Sequence, residues 1–184
     1  MPLTKTEKKT LLSLARAELE ACVAGKRTDI PEIDETGGLG KSGGAFVTLH
    51  IGDALRGCIG MITSDEPVYK TVIEMAQAAA LEDTRFEPVA PSELSSIHIE
   101  ISLLTPLRRV SSIDEIETGR HGLYIKKGRR SGLLLPQVAA ENGFERDEFL
   151  DHTCMKAGLS PGCWKDGTAM IYLFEAEIIR EEVG

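Results

Sequence analysis

Two short runs, Gly44-Ala45-Phe46-Val47 and Gly122-Leu123-Tyr124-Ile125, share one pattern: glycine, a small or apolar residue, an aromatic, a β-branched residue. They lie about 80 positions apart, which hints at an internal duplication. Each run opens a segment that reads as a β-hairpin. Gly44–Ile51 turns at Gly52-Asp53 and returns as Ala54–Gly60, while Gly122–Ile125 turns through Lys126–Arg130 and returns as Gly132–Leu135. Each hairpin leads to a helix with proline at its start, Pro67 and Pro136, where the missing N–H costs nothing. Each half then closes on a long alternating strand, Leu94–Leu104 and Thr168–Ile179. An internal duplication and two unrelated hairpins both satisfy the pattern. The duplication predicts an α+β fold: a barrel-like, mostly antiparallel sheet built from two β-rich repeats, with flanking helices.

Further elements follow from local rules. Thr4 and Glu7 fit a capping box, and Leu11, Leu12, Ala15, Leu19, Cys22 and Val23 then recur on one helical face until Gly25. A charged helix from about Glu145 to Ala157 is ended by Gly158. Between Gly37 and Gly44 five of eight residues are glycine, which reads as a flexible loop or lid. At 184 residues the chain suits a single domain, 1–184, or two lobes of about 1–108 and 109–184 sharing one sheet.

Charge and cysteine usage narrow the function classes. The chain has 21 Lys and Arg against 29 Asp and Glu, a formal charge of −8, which repels phosphate backbones and argues against a nucleic-acid factor. Lys126, Lys127, Arg129 and Arg130 form one basic tip that reads as a solvated turn. No apolar run reaches the ~18–20 residues of a membrane span, and the opening MPLTKTEKK runs into an acidic helix rather than a secretory signal. Cys22, Cys58, Cys154 and Cys163 are sparse and show no CxxC, so the expectation is a cytoplasmic chain with free, reduced thiols. His152, Cys154 and Cys163 lack zinc-ligand spacing, and the Gly37–Gly44 run precedes a strand where phosphate loops precede a helix. No metal and no cofactor is expected.

The candidate chemistry centres on Leu55-Arg56-Gly57-Cys58-Ile59-Gly60. Two glycines bracketing a cysteine inside a strand mark a bulge or a close backbone approach. One reading leaves Cys58 open space on either side, with Arg56 two positions earlier on the same face favouring the thiolate. The other reading makes Cys58 a small core residue and the glycines the accommodation of a bulge. Asp83-Thr84-Arg85-Phe86-Glu87-Pro88 is a charged loop in which Arg85 either clamps an anion through its planar fork or closes on Asp83. In Ile97–Ser102, His98, Glu100 and Ser102 share the polar face, so His98 and Glu100 are a candidate base and its orienting carboxylate. The candidate set is Cys58, Glu100 and His98 as catalytic groups, with Arg56, Gly57, Gly60, Asp83 and Arg85 holding an anionic substrate.

The Leu-Arg-Gly-Cys-Ile-Gly run at 55–60 resembles the signature of the AMMECR domain family, the protein A component of the AmmeMemoRadiSam system. Other stretches resemble the family's landmarks in order: Gly44–Leu49, the Asp-x-Arg-Phe-x-Pro loop at 83–88, Glu100–Pro106, Gly119–Leu123, Leu135–Ala139 and Lys156–Leu159. The resemblance covers Leu11 to Ile179. It implies an α+β domain with two repeats around a barrel-like sheet, and Memo-type and radical-SAM proteins as partners. It implies no particular reaction. Two functions are therefore carried forward: a cysteine-centred enzyme or enzyme subunit, and a non-catalytic adaptor in which Cys58 is structural.

Overall fold

A computed structural model describes residues 3–182. In chain order the elements are α1 (Lys5–Val23), β1 (Ala45–Ile51), β2 (Ala54–Met61), α2 (Val68–Leu81), β3 (Ile97–Leu104), β4 (Arg108–Arg109), β5 (Gly122–Lys127), β6 (Arg130–Leu134), α3 (Pro136–Asn142), α4 (Arg146–Lys156), β7 (Met170–Phe174) and β8 (Ala176–Arg180). They form two compact units. One runs to Leu104 and resumes at Glu177, and the other is Thr105–Ala176.

In the first unit the sheet order is β2-β1-β3-β8. Strict alternation decides its two faces. Ala45, Val47 and Leu49 of β1 and Ile97, Ile99 and Ile101 of β3 are almost wholly buried, in one apolar cluster with Leu11, Ala15 and Leu19 of α1 and Val72, Ala76 and Ala79 of α2. α1 starts where its sequence says it should: the Thr4 hydroxyl accepts the Glu7 N–H, and the Glu7 carboxylate accepts the Thr4 N–H at 2.7 Å. Gly25, at φ +66°, ends it.

In the second unit the order is β4-β7-β5-β6. Its core gathers Leu123 and Ile125 of β5, Ile171 and Leu173 of β7, and Phe149, Leu150 and Cys154 of α4.

Four expectations are corrected. The sheet is not barrel-like: the eight strands form two open antiparallel sheets, bounded by β2 and β8 in one and by β4 and β6 in the other. The strand expected over Thr168–Ile179 is two strands in different sheets. At the break, Glu175 donates its N–H to the Thr105 hydroxyl (2.8 Å) and accepts the Thr105 N–H on its carbonyl (2.9 Å). β8 thereby returns to the first unit's sheet.

The Gly37–Gly44 segment is a fixed cap rather than a lid. Gly38 N–H binds the Glu7 carboxylate (2.5 Å), Leu39 is buried, and the Lys41 carbonyl accepts the Val68 N–H at the start of α2 (2.8 Å). The cysteines are not all free, because Cys154 and Cys163 are joined in a disulfide. Both sit in the second unit's core, where a step of nine positions brings the chain back past the end of α4. Among the described residues no helix is long and apolar enough to cross a membrane.

Candidate functional site

The face of the first sheet opposite α1 and α2 is polar. The register Phe46↔Ser102, Thr48↔Glu100, His50↔His98 sets β1 against β3, and Phe46↔Gly60, Thr48↔Cys58 sets β1 against β2. Residues directly opposite share a face, so Cys58, Thr48 and Glu100 form one row across three strands. The row continues to β8, where Arg180 donates to the Glu100 carboxylate at 2.5 Å. His50 and His98 make the next row. Ser102 lies on the other side of the row, 1% exposed, with a hydroxyl that finds no protein partner.

Cys58 is half-buried, and its Sγ accepts a hydrogen bond from the Thr48 hydroxyl at 3.2 Å. The two glycines around it do not leave open space. A Cβ on Gly57 would stand 2.3 Å from the Ala79 carbonyl oxygen of α2, and one on Gly60 would stand 2.2 Å from the Phe46 ring. Gly57 therefore lets α2 approach the strand, and Gly60 lets an aromatic ring lie across it.

β2 is an edge strand, and at Cys58 its free edge is closed by side chains. The Cys58 N–H donates to Asp83 Oδ2 (2.8 Å), and the Cys58 carbonyl accepts from Arg85 Nη2 (3.3 Å). Asp83 and Arg85 are themselves joined by Nε to Oδ1 (2.9 Å) and Nη2 to Oδ2 (2.6 Å). The clasp reading of the 83–88 loop is realised, with an addition: the clasp serves as a missing neighbouring strand. Arg85's hydrogen bonds hold the Asp83 carboxyl well below the usual carboxylate range, against the opposing effect of burial. Arg85 is held above its ordinary value by its hydrogen bonds to Asp83, against the opposing effect of burial.

Arg56 behaves otherwise. Leu49 pairs with Gly57 but His50 pairs with Leu55, so Arg56 is the extra residue of a β-bulge. The bulge breaks the parity that placed Arg56 on the face of Cys58. Its guanidinium forks onto Glu93 (Nε 2.7 Å, Nη2 2.9 Å) and reaches the Glu87 carbonyl (3.0 Å). That fork pulls the Glu93 carboxyl down to about 2. The Phe86 ring lies 5.8 Å from the Arg56 guanidinium and 5.5 Å from that of Arg85.

His98 and Glu100 share the face with Cys58 but do not form a base and its orienter. Glu100's partner is Arg180, and Thr48 stands between Glu100 and Cys58. Two strand spacings, about 10 Å, separate the thiol's strand position from that of the carboxylate. Thr48, His50, Glu93 and Arg180 were not singled out from the sequence. Alternation along β1 marks the first two as polar-face residues, whereas Glu93 and Arg180 are brought in by the bulge and by the return of β8. Among the described residues no three His, Cys, Asp or Glu side chains could together hold a metal ion.

The comparisons with known proteins agree with this architecture. A Methanosarcina acetivorans protein is 41% identical over 98% of this chain and 94% of its own length. The Methanopyrus kandleri protein MK0488 is 43% identical over 98% of this chain and 91% of its own. The crystal structure of the uncharacterized protein PH0010 from Pyrococcus horikoshii superposes with a TM-score of 0.91 at 38% identity, covering 98% of this chain and 94% of that one. The AMMECR1 family profile matches residues 12–179, so the chain belongs to the AMMECR1 family.

Proposed function

We propose that this AMMECR1-family chain is a cysteine-centred enzyme or enzyme subunit, acting by group transfer on an anionic small molecule or protein alongside Memo-type and radical-SAM partners. The observation that carries the reading is the treatment of Cys58. Its backbone is strapped on the free edge by Asp83 and Arg85, while its half-buried Sγ receives the Thr48 hydroxyl. That hydrogen bond holds the sulfur in one orientation on a fixed backbone, and a positioned thiol is the nucleophile this reading requires. Arg85, with a side chain 54% exposed, is the group available to an anionic substrate; Arg56, forked onto Glu93, positions the loop.

The rival reading is an adaptor in which the same strap serves packing alone. It is favoured by one feature: no histidine or carboxylate hydrogen-bonds the Cys58 sulfur among the described residues.

Alkylation of the folded protein, read peptide by peptide, separates the two. Cys22 is the reference, because burial and then Glu18 push its thiol up, and the disulfide-bonded pair stays silent. The enzyme reading expects Cys58 to react faster than Cys22 at neutral pH, and Thr48→Val to slow it. Protection of Cys58 until the protein unfolds would establish the adaptor.

A further inference from the structure

The second unit carries a surface that the thiol reading leaves unused, the face of its sheet turned away from α4. Alternation sends Leu123, Ile125, Ile171 and Leu173 into the core, so Tyr124 of β5 and Tyr172 of β7 stand on the opposite face. The two tyrosines are direct cross-strand partners with ring centroids 5.9 Å apart, and they belong to neither apolar cluster. Exposure rises row by row along this face. Phe174, whose ring fills the space a Cβ on Gly122 would need, is 2% exposed; Tyr124 and Tyr172 are half-buried; Lys126, two positions beyond Tyr124, is exposed. Arg109 of β4, also exposed, pairs directly with Tyr172 at the end of the tyrosine row. Neighbouring cations are engaged: Arg108 by Glu115, Lys127 by Asp166 and Arg130 by the Gly158 carbonyl. Arg109 and Lys126 have no side-chain partner among the described residues. The cation–ring contacts among those residues fall on Phe86, Tyr69 and Trp164, so no cation of the chain covers the Tyr124–Tyr172 pair.

We propose that this face binds a nucleotide, its base stacked on Tyr124 and Tyr172 and its phosphate paired with Arg109 and Lys126 at the exposed rim. A flat heteroaromatic ring is the partner that an aromatic pair on a sheet accepts without regard to hydrogen-bond pattern. The gradient from buried Phe174 to exposed Lys126 suits a ligand that is apolar at one end and anionic at the other. Two unpaired cations complement one phosphate group, and they do so on a chain whose formal charge is −8. The same overall charge repels a polynucleotide, and two cations release too few counterions to offset that repulsion. The inference is independent of any role for Cys58, which lies in the first unit.

The test uses the full chain and AMP, GMP, CMP and UMP, added singly. The chain has three tyrosines, so their ring resonances can be followed one by one. At least one nucleotide is expected to bind and to shift Tyr124 and Tyr172 together, while Tyr69, whose hydroxyl donates to Glu35, stays in place. The matching nucleoside should bind about tenfold more weakly, and ribose 5-phosphate should move neither ring. Arg109→Gln and Lys126→Gln are each expected to weaken nucleotide binding about tenfold and to leave the nucleoside unaffected. Lys9→Gln, in the first unit, should change nothing. The spectra of the unsubstituted chain carry the test even if a variant misfolds. The proposal is overturned if none of the nucleotides binds at millimolar concentration, if the shifts spare Tyr124 and Tyr172, or if ribose 5-phosphate binds as well as the nucleotide. A single-stranded RNA oligomer that binds far more tightly, with a steep loss in salt, would also overturn it and make the face a polynucleotide platform.

Discussion

Asp83 shows how much one side chain can settle. Its carboxylate, 5% exposed, receives the Cys58 N–H and the Arg85 fork. Replacing it with alanine leaves a strand-edge N–H unpaired and strips Arg85 of its partner. Asp83→Ala is expected to cost about 2–4 kcal/mol, read as a lowered urea midpoint, with faster hydrogen exchange at the Cys58 amide. Asp83→Asn, which keeps the acceptor, should cost less. Gly57 is the complementary case. Gly57→Ala sets a Cβ 2.3 Å from the Ala79 carbonyl, and overpacking of this kind costs about 1–3 kcal/mol. If Gly57→Ala proves neutral in urea denaturation, the close approach of α2 to β2 is wrong.

At the scale of elements, the strapping of the β2 edge makes the first unit sensitive to acid. The Glu93 carboxyl lies at about 2 in the folded chain, against an ordinary 4.5, and that of Asp83 is also lowered. A depressed carboxylate contributes stability that is complete above its unfolded value and is lost as pH falls through its folded value. Stability should therefore decline from about pH 4.5 downward. Glu93→Gln should flatten that decline while lowering stability at neutral pH, as followed by denaturation at a series of pH values. Neutral and acid stability falling in parallel would show that the Arg56–Glu93 fork is not what titrates. The bulge at Arg56 connects the two effects, since its guanidinium is bonded to Glu93 and the Glu87 carbonyl, in the segment whose Asp83 and Arg85 hold β2.

For the whole molecule, the strand orders β2-β1-β3-β8 and β6-β5-β7-β4 are the same arrangement written twice. In each, a hairpin lies beside the strand that follows its helical segment, and a fourth strand completes the sheet: β8 in the first, and β4, which directly follows β3 in the chain, in the second. This correspondence supports the duplication that Gly44–Val47 and Gly122–Ile125 suggested. The disulfide belongs to the second unit alone. A loop of this length restrains the unfolded chain by about 2–3 kcal/mol. Reduction under denaturing titration should lower the stability of Thr105–Ala176 by that amount and leave Cys58 alkylation unchanged. A change at Cys58 would show that the two chemistries are coupled.

Local rules were enough for most of the elements. The Thr4–Glu7 cap, the proline-started helices, the alternation of Ile97–Leu103 and the polar parity of His98 and Glu100 depend on neighbours a few residues away, so they are legible along the chain. Pairing is decided elsewhere. That Thr48 lies between Cys58 and Glu100, that His50 meets His98, that Arg56 falls in a bulge and that Thr105 diverts the last strand at Glu175 are outcomes of register between segments tens of residues apart. Cysteine spacing read as free thiols for the same reason, because the bond between Cys154 and Cys163 requires the turn that brings the chain back past α4. Outside the bulge at Arg56, sequence by itself determined which side chains face the core and which face away, because period 2 and period 3.6 are local properties. Tertiary structure alone decided which polar groups meet, because their meeting depends on distant backbones satisfying one another's hydrogen bonds.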